Sequence, residues 1–192
     1  MLSFVHHVRG VFMYAAIGGV ALAIIAKAGT QSFKEAGAVW YINNQEALVY
    51  PQRIFFIRNP FERLESCYSF FVGLKNAGTR YDAIPDSALT SWEAFIDHIL
   101  INSDEHWNPQ INTLMYKGEP TPTKIMRFED VTKWWPLFFS KRLPHNNQSD
   151  RLVTTSYRGE EIQAFYAQDY DVWSLITPFD DIPEAERAWP LQ

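Results

Sequence analysis

Apolar and polar positions along the chain follow two periods in turn. Residues 11–26 form an uncharged run, VFMYAAIGGVALAIIA, interrupted by Gly18-Gly19 and flanked by Arg9 and Lys27. Split at the glycines, the run reads as a short first segment and a buried strand over 20–26 that ends in the turn KAGTQS. Residues 30–42 then space Phe33, Ala36, Val39 and Trp40 at helical intervals, with Thr30 or Ser32 as the cap. Residues 53–58, RIFFIR, suit a central strand, and Asn59-Pro60 starts a helix with an apolar face of Phe61, Leu64, Tyr68, Phe71 and Val72. A polar connection over 73–89 precedes an amphipathic helix over 91–101, capped by Ser91. Residues 110–116 are a candidate short helix, and 123–128, TKIMRF, fit a third strand. Glu129-Asp130 opens a helix to about Lys141, acidic at its start and basic at its end as the helix dipole favours. A loop over 143–150, a last helix over 160–173 and an acidic, proline-containing tail over 178–192 complete the chain.

Strands alternating with helices predict an α/β fold: a single domain with a central, mainly parallel sheet flanked by helices. In such sheets ligands bind outside the carboxyl ends of the strands, where both KAGTQS and RNPFER lie. A length of 192 residues suits one domain, with a core over about 20–175. Seventeen basic residues against 22 acidic ones disfavour a general grip on nucleic acid or an anionic membrane, so any bound anion is held locally. Cys67 stands alone, which excludes an internal disulfide and a thiolate metal cluster. The first apolar run is short for a membrane span. It has an alternative as a signal segment, with Arg9 as the basic end and Ala26-Lys27-Ala28 as the cleavage site, which would make the protein secretory.

The two turns carry the candidate chemistry. In KAGTQS, backbone N–H groups from Ala28, Gly29, Thr30, Gln31 and Ser32, the hydroxyls of Thr30 and Ser32, and the Lys27 ammonium surround one point, which is an anion cradle. Its physics is that of a phosphate-binding loop, although the G-x-x-x-x-G-K-[ST] pattern is absent; a strand-to-helix connection with capping hydroxyls has the same composition. In the second turn Arg58 stands at a strand end and Ser66 follows eight residues later. A guanidinium suits a phosphate because it presents a planar fork of donors; pairing with Glu62 or Glu65 is the alternative. Arg63 and Glu65 read as a surface pair and Cys67 as a packed thiol.

The combination resembles a known family. IAKAGTQSF looks like the 5'-phosphosulfate-binding loop of the Golgi-type carbohydrate sulfotransferases, the heparan and chondroitin sulfotransferase type, and FFIRNPFERLESCYSFF resembles their 3'-phosphate-binding strand and helix. HWNPQ at 106–110, IMRFEDV at 125–131, LPHNNQS at 143–149 and FYAQDYDVW at 165–173 keep the family's order, so the resemblance spans about 22–173. Ala26 stands where the family usually has Pro, and Gln31 where a small hydroxyl residue is common.

The resemblance implies a P-loop-like nucleotide-binding fold and transfer of a sulfuryl group from 3'-phosphoadenosine 5'-phosphosulfate (PAPS) to a hydroxyl of a carbohydrate or other small acceptor. It implies no metal. Lys27 would meet the charge on the departing bridging oxygen, residues 28–32 would hold the 5'-phosphosulfate, and Arg58 and Ser66 the 3'-phosphate. His106 is the leading general base, since an unperturbed imidazole titrates near neutrality; Glu35, Glu46, Asp104 and Glu105 compete with it. His145 would order a loop over the nucleotide, Arg127 and Glu129, at a strand end, read either as structural or as braces of the donor loops, and Tyr68, Tyr81, Trp92 and Trp107 are candidates to stack on adenine or a sugar. A non-catalytic or phosphoryl-transferring relative is the alternative; a kinase-type site would add a second phosphate lysine and an acidic magnesium ligand in motif context. The expected partner is a small-molecule or glycan acceptor, with no nucleic acid and no stable membrane insertion. Lacking a convincing anchor and stem, the chain is expected to be a cytoplasmic, bacterial or viral enzyme. Cleavage after Ala28 would remove Lys27, so the resemblance favours the strand reading of the first run.

Overall fold

The computed structural model describes residues 14–23, 28, 30–42, 44–113, 115–116, 119–120, 122–139, 143–144 and 157–187. The expected loop over 143–150 lies outside them beyond Pro144, as do the end of the helix expected to reach Lys141 and the last five residues of the tail.

The double glycine makes a hairpin. Strand β1 (Tyr14–Ile17) pairs antiparallel with β2 (Val20–Ala23), Ile17 opposite Val20. Gly18 and Gly19 between them have φ of 56° and 82°, the two positive values that a tight hairpin turn requires and that glycine adopts most readily. The first segment of the apolar run is therefore itself a strand. Helix α1 (Thr30–Glu35) follows, and the helix expected to continue to Ile42 stops here. Gly37 has φ 92°, its N–H donates to the Lys34 carbonyl, and the Ala38 N–H donates to that of Phe33, the paired bonds of a glycine C-terminal cap. Beyond it VWYI, β-branched and aromatic, forms β3 (Val39–Ile42), antiparallel to β1.

After a short helix α2 (Asn44–Ala47), strand β4 (Gln52–Ile57) runs parallel to β2, and β7 (Lys124–Arg127) runs parallel to β4. A separate small hairpin, β5 (Met115–Tyr116) and β6 (Glu119–Pro120), precedes β7; with a 3-10 turn at Gln110–Thr113 it replaces the expected short helix. The main sheet has five strands in the order β3-β1-β2-β4-β7. It is mixed rather than mainly parallel, because the glycine hairpin turns the chain back and puts two antiparallel pairs on one side. The fold is α/β. Since β2 is the middle strand, the apolar run belongs to the sheet as far as Ala23; cleavage after Ala28 would remove β1 and β2 together.

Strand alternation divides the core. Leu22, Ile54, Phe56 and Met126 face α1 and helix α5 (Val131–Phe138), meeting Phe33, Val131, Trp134 and Trp135. Ala21, Ala23, Phe55 and Ile57 face the other way, toward Ala28, Ala47 and the end of helix α7 (Ala167–Leu175). A third cluster lies off the sheet. Helix α3 (Pro60–Asn76) packs with α4 (Trp92–Ile99) and α6 (Gly159–Phe165) around Phe71, Phe95, Trp107 and Tyr166. The last long helix is broken at Tyr166 into α6 and α7. The helix expected from Glu129 begins instead with a 3-10 turn, Phe128–Asp130. In the tail, before α8 (Glu184–Arg187), Phe179 meets Trp134 edge-on at 4.8 Å and its N–H donates to Asp130 at 3.0 Å, so this part packs on the core. Among the described residues no helix is long and apolar enough to cross a membrane.

Candidate functional site

Parallel pairing puts the carboxyl ends of β2 and β4, the strands that precede the two motif turns in sequence, at one edge of the sheet. Ala23 of β2 stands opposite Phe55 of β4, so the chain leaves both strands at neighbouring carboxyl ends. After β2, Lys27 and Gly29 lie outside the described residues. Ala28 is buried, Thr30 and Gln31 form the first turn of α1, with side chains outside the description, and Ser32 is half-buried on the same helix.

After β4 the geometry is fully described. Arg58 is the first residue beyond the strand, half-buried, with its guanidinium 5.7 Å from the centre of the Phe128 ring. Asn59 caps α3: its side-chain oxygen accepts the N–H groups of Phe61 and Glu62, and Pro60 takes the position where a missing N–H costs nothing. Ser66, half-buried, lies six residues beyond Pro60, about 9 Å along the helix axis. Arg58 and Ser66 thus flank the first two turns of α3.

Two clamps fix this turn. The Gln110 side chain accepts the Arg58 N–H at 3.0 Å and donates to the Arg58 carbonyl at 2.8 Å. Glu129 accepts the Asn59 N–H at 2.7 Å and, with its other oxygen, the indole N–H of Trp173 at 3.1 Å. Trp173 in turn carries the Arg127 guanidinium 4.2 Å from its ring. Glu129 therefore braces the second turn directly, whereas Arg127 acts on its neighbours through the indole. Asp169, fully buried, accepts the N–H groups of Gln110 and Ile111 at 2.7 and 2.8 Å. Burial pushes the Asp169 carboxyl up, against those two donors and the charge of Arg63.

Arg63 is not on the surface. It is 2% exposed and donates to the carbonyls of Asn108 and Glu105 at 3.0 and 3.1 Å, tying segment 104–111 along α3; Glu65 is buried as well. Segment 104–111 accepts from Arg63 on that side of the helix, a contact that local periodicity does not reveal. Cys67 is a buried free thiol.

His106 sits farther along α3. Its ring stacks on Phe70 at 6.1 Å and meets Phe71 and Tyr81 edge-on at 5.2 and 5.1 Å. Nδ1 lies 2.6 Å from Asp104 Oδ1, and the Tyr81 hydroxyl is 3.3 Å from the same nitrogen and donates to Asp104 Oδ2 at 3.4 Å. Phe70 and Phe71 are about 15 Å of helix rise from Pro60, so this cluster is a separate station from the Arg58 turn. In the tautomer that donates Nδ1–H to the carboxylate, Nε2 is the ring nitrogen left as an acceptor. Burial alone would raise the Asp104 carboxyl, but the ring and backbone hydrogen bonds from His106 outweigh it and hold the group below its ordinary value. Burial, with the charges of Asp104 and Glu105, pushes the Tyr81 phenol up to about 12, so it remains a donor throughout the neutral range.

Three of the four aromatic stacking candidates are core. Trp107, Trp92 and Tyr68 are buried in the α3–α4 cluster, and the Trp107 carbonyl accepts the Tyr166 hydroxyl. Tyr81 remains partly open, and Phe70, exposed and stacked on His106, was hidden within the periodicity of α3. Glu35, Glu46 and Glu105 are exposed, and His145 lies outside the described residues. Among the described residues no group of three or more His, Cys, Asp or Glu side chains is arranged to hold a metal ion. Comparison with protein-family models, curated proteins and solved structures finds no match.

Proposed function

We propose that the protein is a sulfotransferase that moves the sulfuryl group of PAPS to a hydroxyl of a carbohydrate or other small acceptor, on a P-loop-like nucleotide-binding fold. The observation that supports this reading is the parallel register of β2 and β4, whose carboxyl ends are neighbours and are followed in the sequence by KAGTQS and RNPFER. In the proposed complex Arg58 and Ser66 hold the 3'-phosphate, while the N–H groups of residues 28–32, with the Thr30 and Ser32 hydroxyls, hold the 5'-phosphosulfate. The acceptor oxygen attacks sulfur, the bond from sulfur to the bridging oxygen breaks, and Lys27 meets the negative charge that develops on the departing phosphate oxygen. The acceptor proton passes to Nε2 of His106, whose ring Asp104 orients. His106 lies about a helical turn beyond Ser66, so the acceptor approaches along α3, where exposed Phe70 offers a face for a sugar ring. The reaction needs no metal. Because the apolar run supplies β1 and the central β2, it is not read as a cleaved signal segment.

Sulfate transfer from PAPS to a panel of hydroxylated acceptors, followed by mass spectrometry, tests the mechanism. Lys27→Ala is expected to abolish transfer, and His106→Ala to lower kcat by about 100-fold or more with nucleotide affinity retained. Full activity in either variant would remove that residue from the reaction.

A further inference from the structure

Arg58 stands where the sheet ends. The β4–β7 ladder closes with Ile57 opposite Arg127, so the next peptide group has no strand partner, and a half-buried N–H and C=O at that point need other partners. The Gln110 side chain supplies both, accepting from one and donating to the other, and so acts as an extra rung of the sheet contributed from 52 residues away. Gln110 is itself fully buried and fixed. Asp169, also fully buried, accepts its backbone N–H and that of Ile111, and its Oδ2 lies 3.4 Å from Gln110 Nε2. A buried amide and a buried carboxylate are costly unless satisfied, and both of these direct their hydrogen bonds to the segment that holds Arg58.

We infer that Gln110 and Asp169 are positioning residues that aim the Arg58 guanidinium and thereby set a preference for adenosine nucleotides bearing a 3'-phosphate. The inference rests on the proposed donor. Recognition of a phosphate by a guanidinium fork is directional, and a small rotation of the Arg58 peptide is carried to the far end of a long side chain. The 5'-phosphate belongs to the other turn, so loss of aim falls on ligands with a 3'-phosphate alone.

Calorimetric titration of the full chain with adenosine 3',5'-bisphosphate and with adenosine 5'-phosphate tests this in the wild type, Gln110→Glu and Asp169→Asn. Gln110→Glu keeps the volume and the acceptor for the Arg58 N–H but turns an oxygen toward the Arg58 carbonyl. The expected result is a loss of about tenfold or more in affinity for the bisphosphate, with affinity for the monophosphate held within about twofold. Asp169→Asn, which leaves Gln110 in place but loosens its support, is expected to show the same selective loss at smaller size. Equal losses for both nucleotides, or unchanged bisphosphate binding in folded variants, would overturn the positioning role. A wild-type protein that does not distinguish the two nucleotides would instead overturn the donor reading, and the positioning role with it.

Discussion

At the scale of single residues, the motif segments divide between groups proposed to meet a ligand and groups that hold the backbone around them in position. Arg63 is the clearest of the second kind, a buried cation with two backbone carbonyls as partners. Arg63→Ala should destabilise the fold by about 3 kcal/mol in urea unfolding, because it opens a cavity where a 2% exposed side chain stood and removes the donors from two part-buried carbonyls. Asp104 contributes through pH. Its folded pKa is below the ordinary carboxylate value, so its stabilisation is complete above that value and is lost as the pH falls through the folded one. Asp104→Asn is therefore expected to flatten the acid limb of the stability curve below about pH 4, measured by thermal melting across pH. Asp169 works in the opposite sense: burial raises its pKa, so its titration favours the folded state at lower pH and that contribution is lost as the pH rises through the folded value. Arg58, Ser66 and His106 were legible in the sequence as motif positions. Glu129 was legible as a candidate brace, and its carboxylate accepts the Asn59 N–H; the parts played by Gln110 and Asp169 were not legible, since each acts on a backbone group 52 to 59 residues away, which no local pattern encodes.

At the scale of elements, strands that read as compact apolar runs were legible to within a residue or two. RIFFIR and TKIMRF both become central or edge strands with parallel partners. The misread elements were the candidate helix over 110–116 and, with more consequence, 30–42, where Phe33, Ala36, Val39 and Trp40 satisfy a helical period while Gly37 ends the helix and VWYI turns to β3. That one glycine changes the sheet from mainly parallel to mixed. The Gly18-Gly19 hairpin carries the other half of the change, and its role is conformational rather than spatial. A Cβ at Gly19 would meet nothing within 4 Å, yet φ there is 82°. Gly19→Ala is accordingly expected to cost about 1–2 kcal/mol in chemical unfolding despite the open space. A cost near zero would show that the turn tolerates another backbone conformation.

At the scale of the whole molecule, two sheet faces and a helical lobe meet around the carboxyl edge of β4. The lobe built on α3 is joined to the sheet by Gln110 at Arg58 and by Glu129 at Asn59, so the proposed 3'-phosphate site lies at the junction of the cores. A net charge of -5 fits the proposal of a locally held anion, and much of the aromatic excess fills cores. Donor binding should tighten the junction, and the most direct test of the sulfotransferase reading is a thermal shift with adenosine 3',5'-bisphosphate in the absence of metal, beside ATP with magnesium. The account predicts stabilisation of the wild-type protein by the bisphosphate alone, lost in Arg58→Ala. Stabilisation by ATP with magnesium and none by the bisphosphate would contradict it.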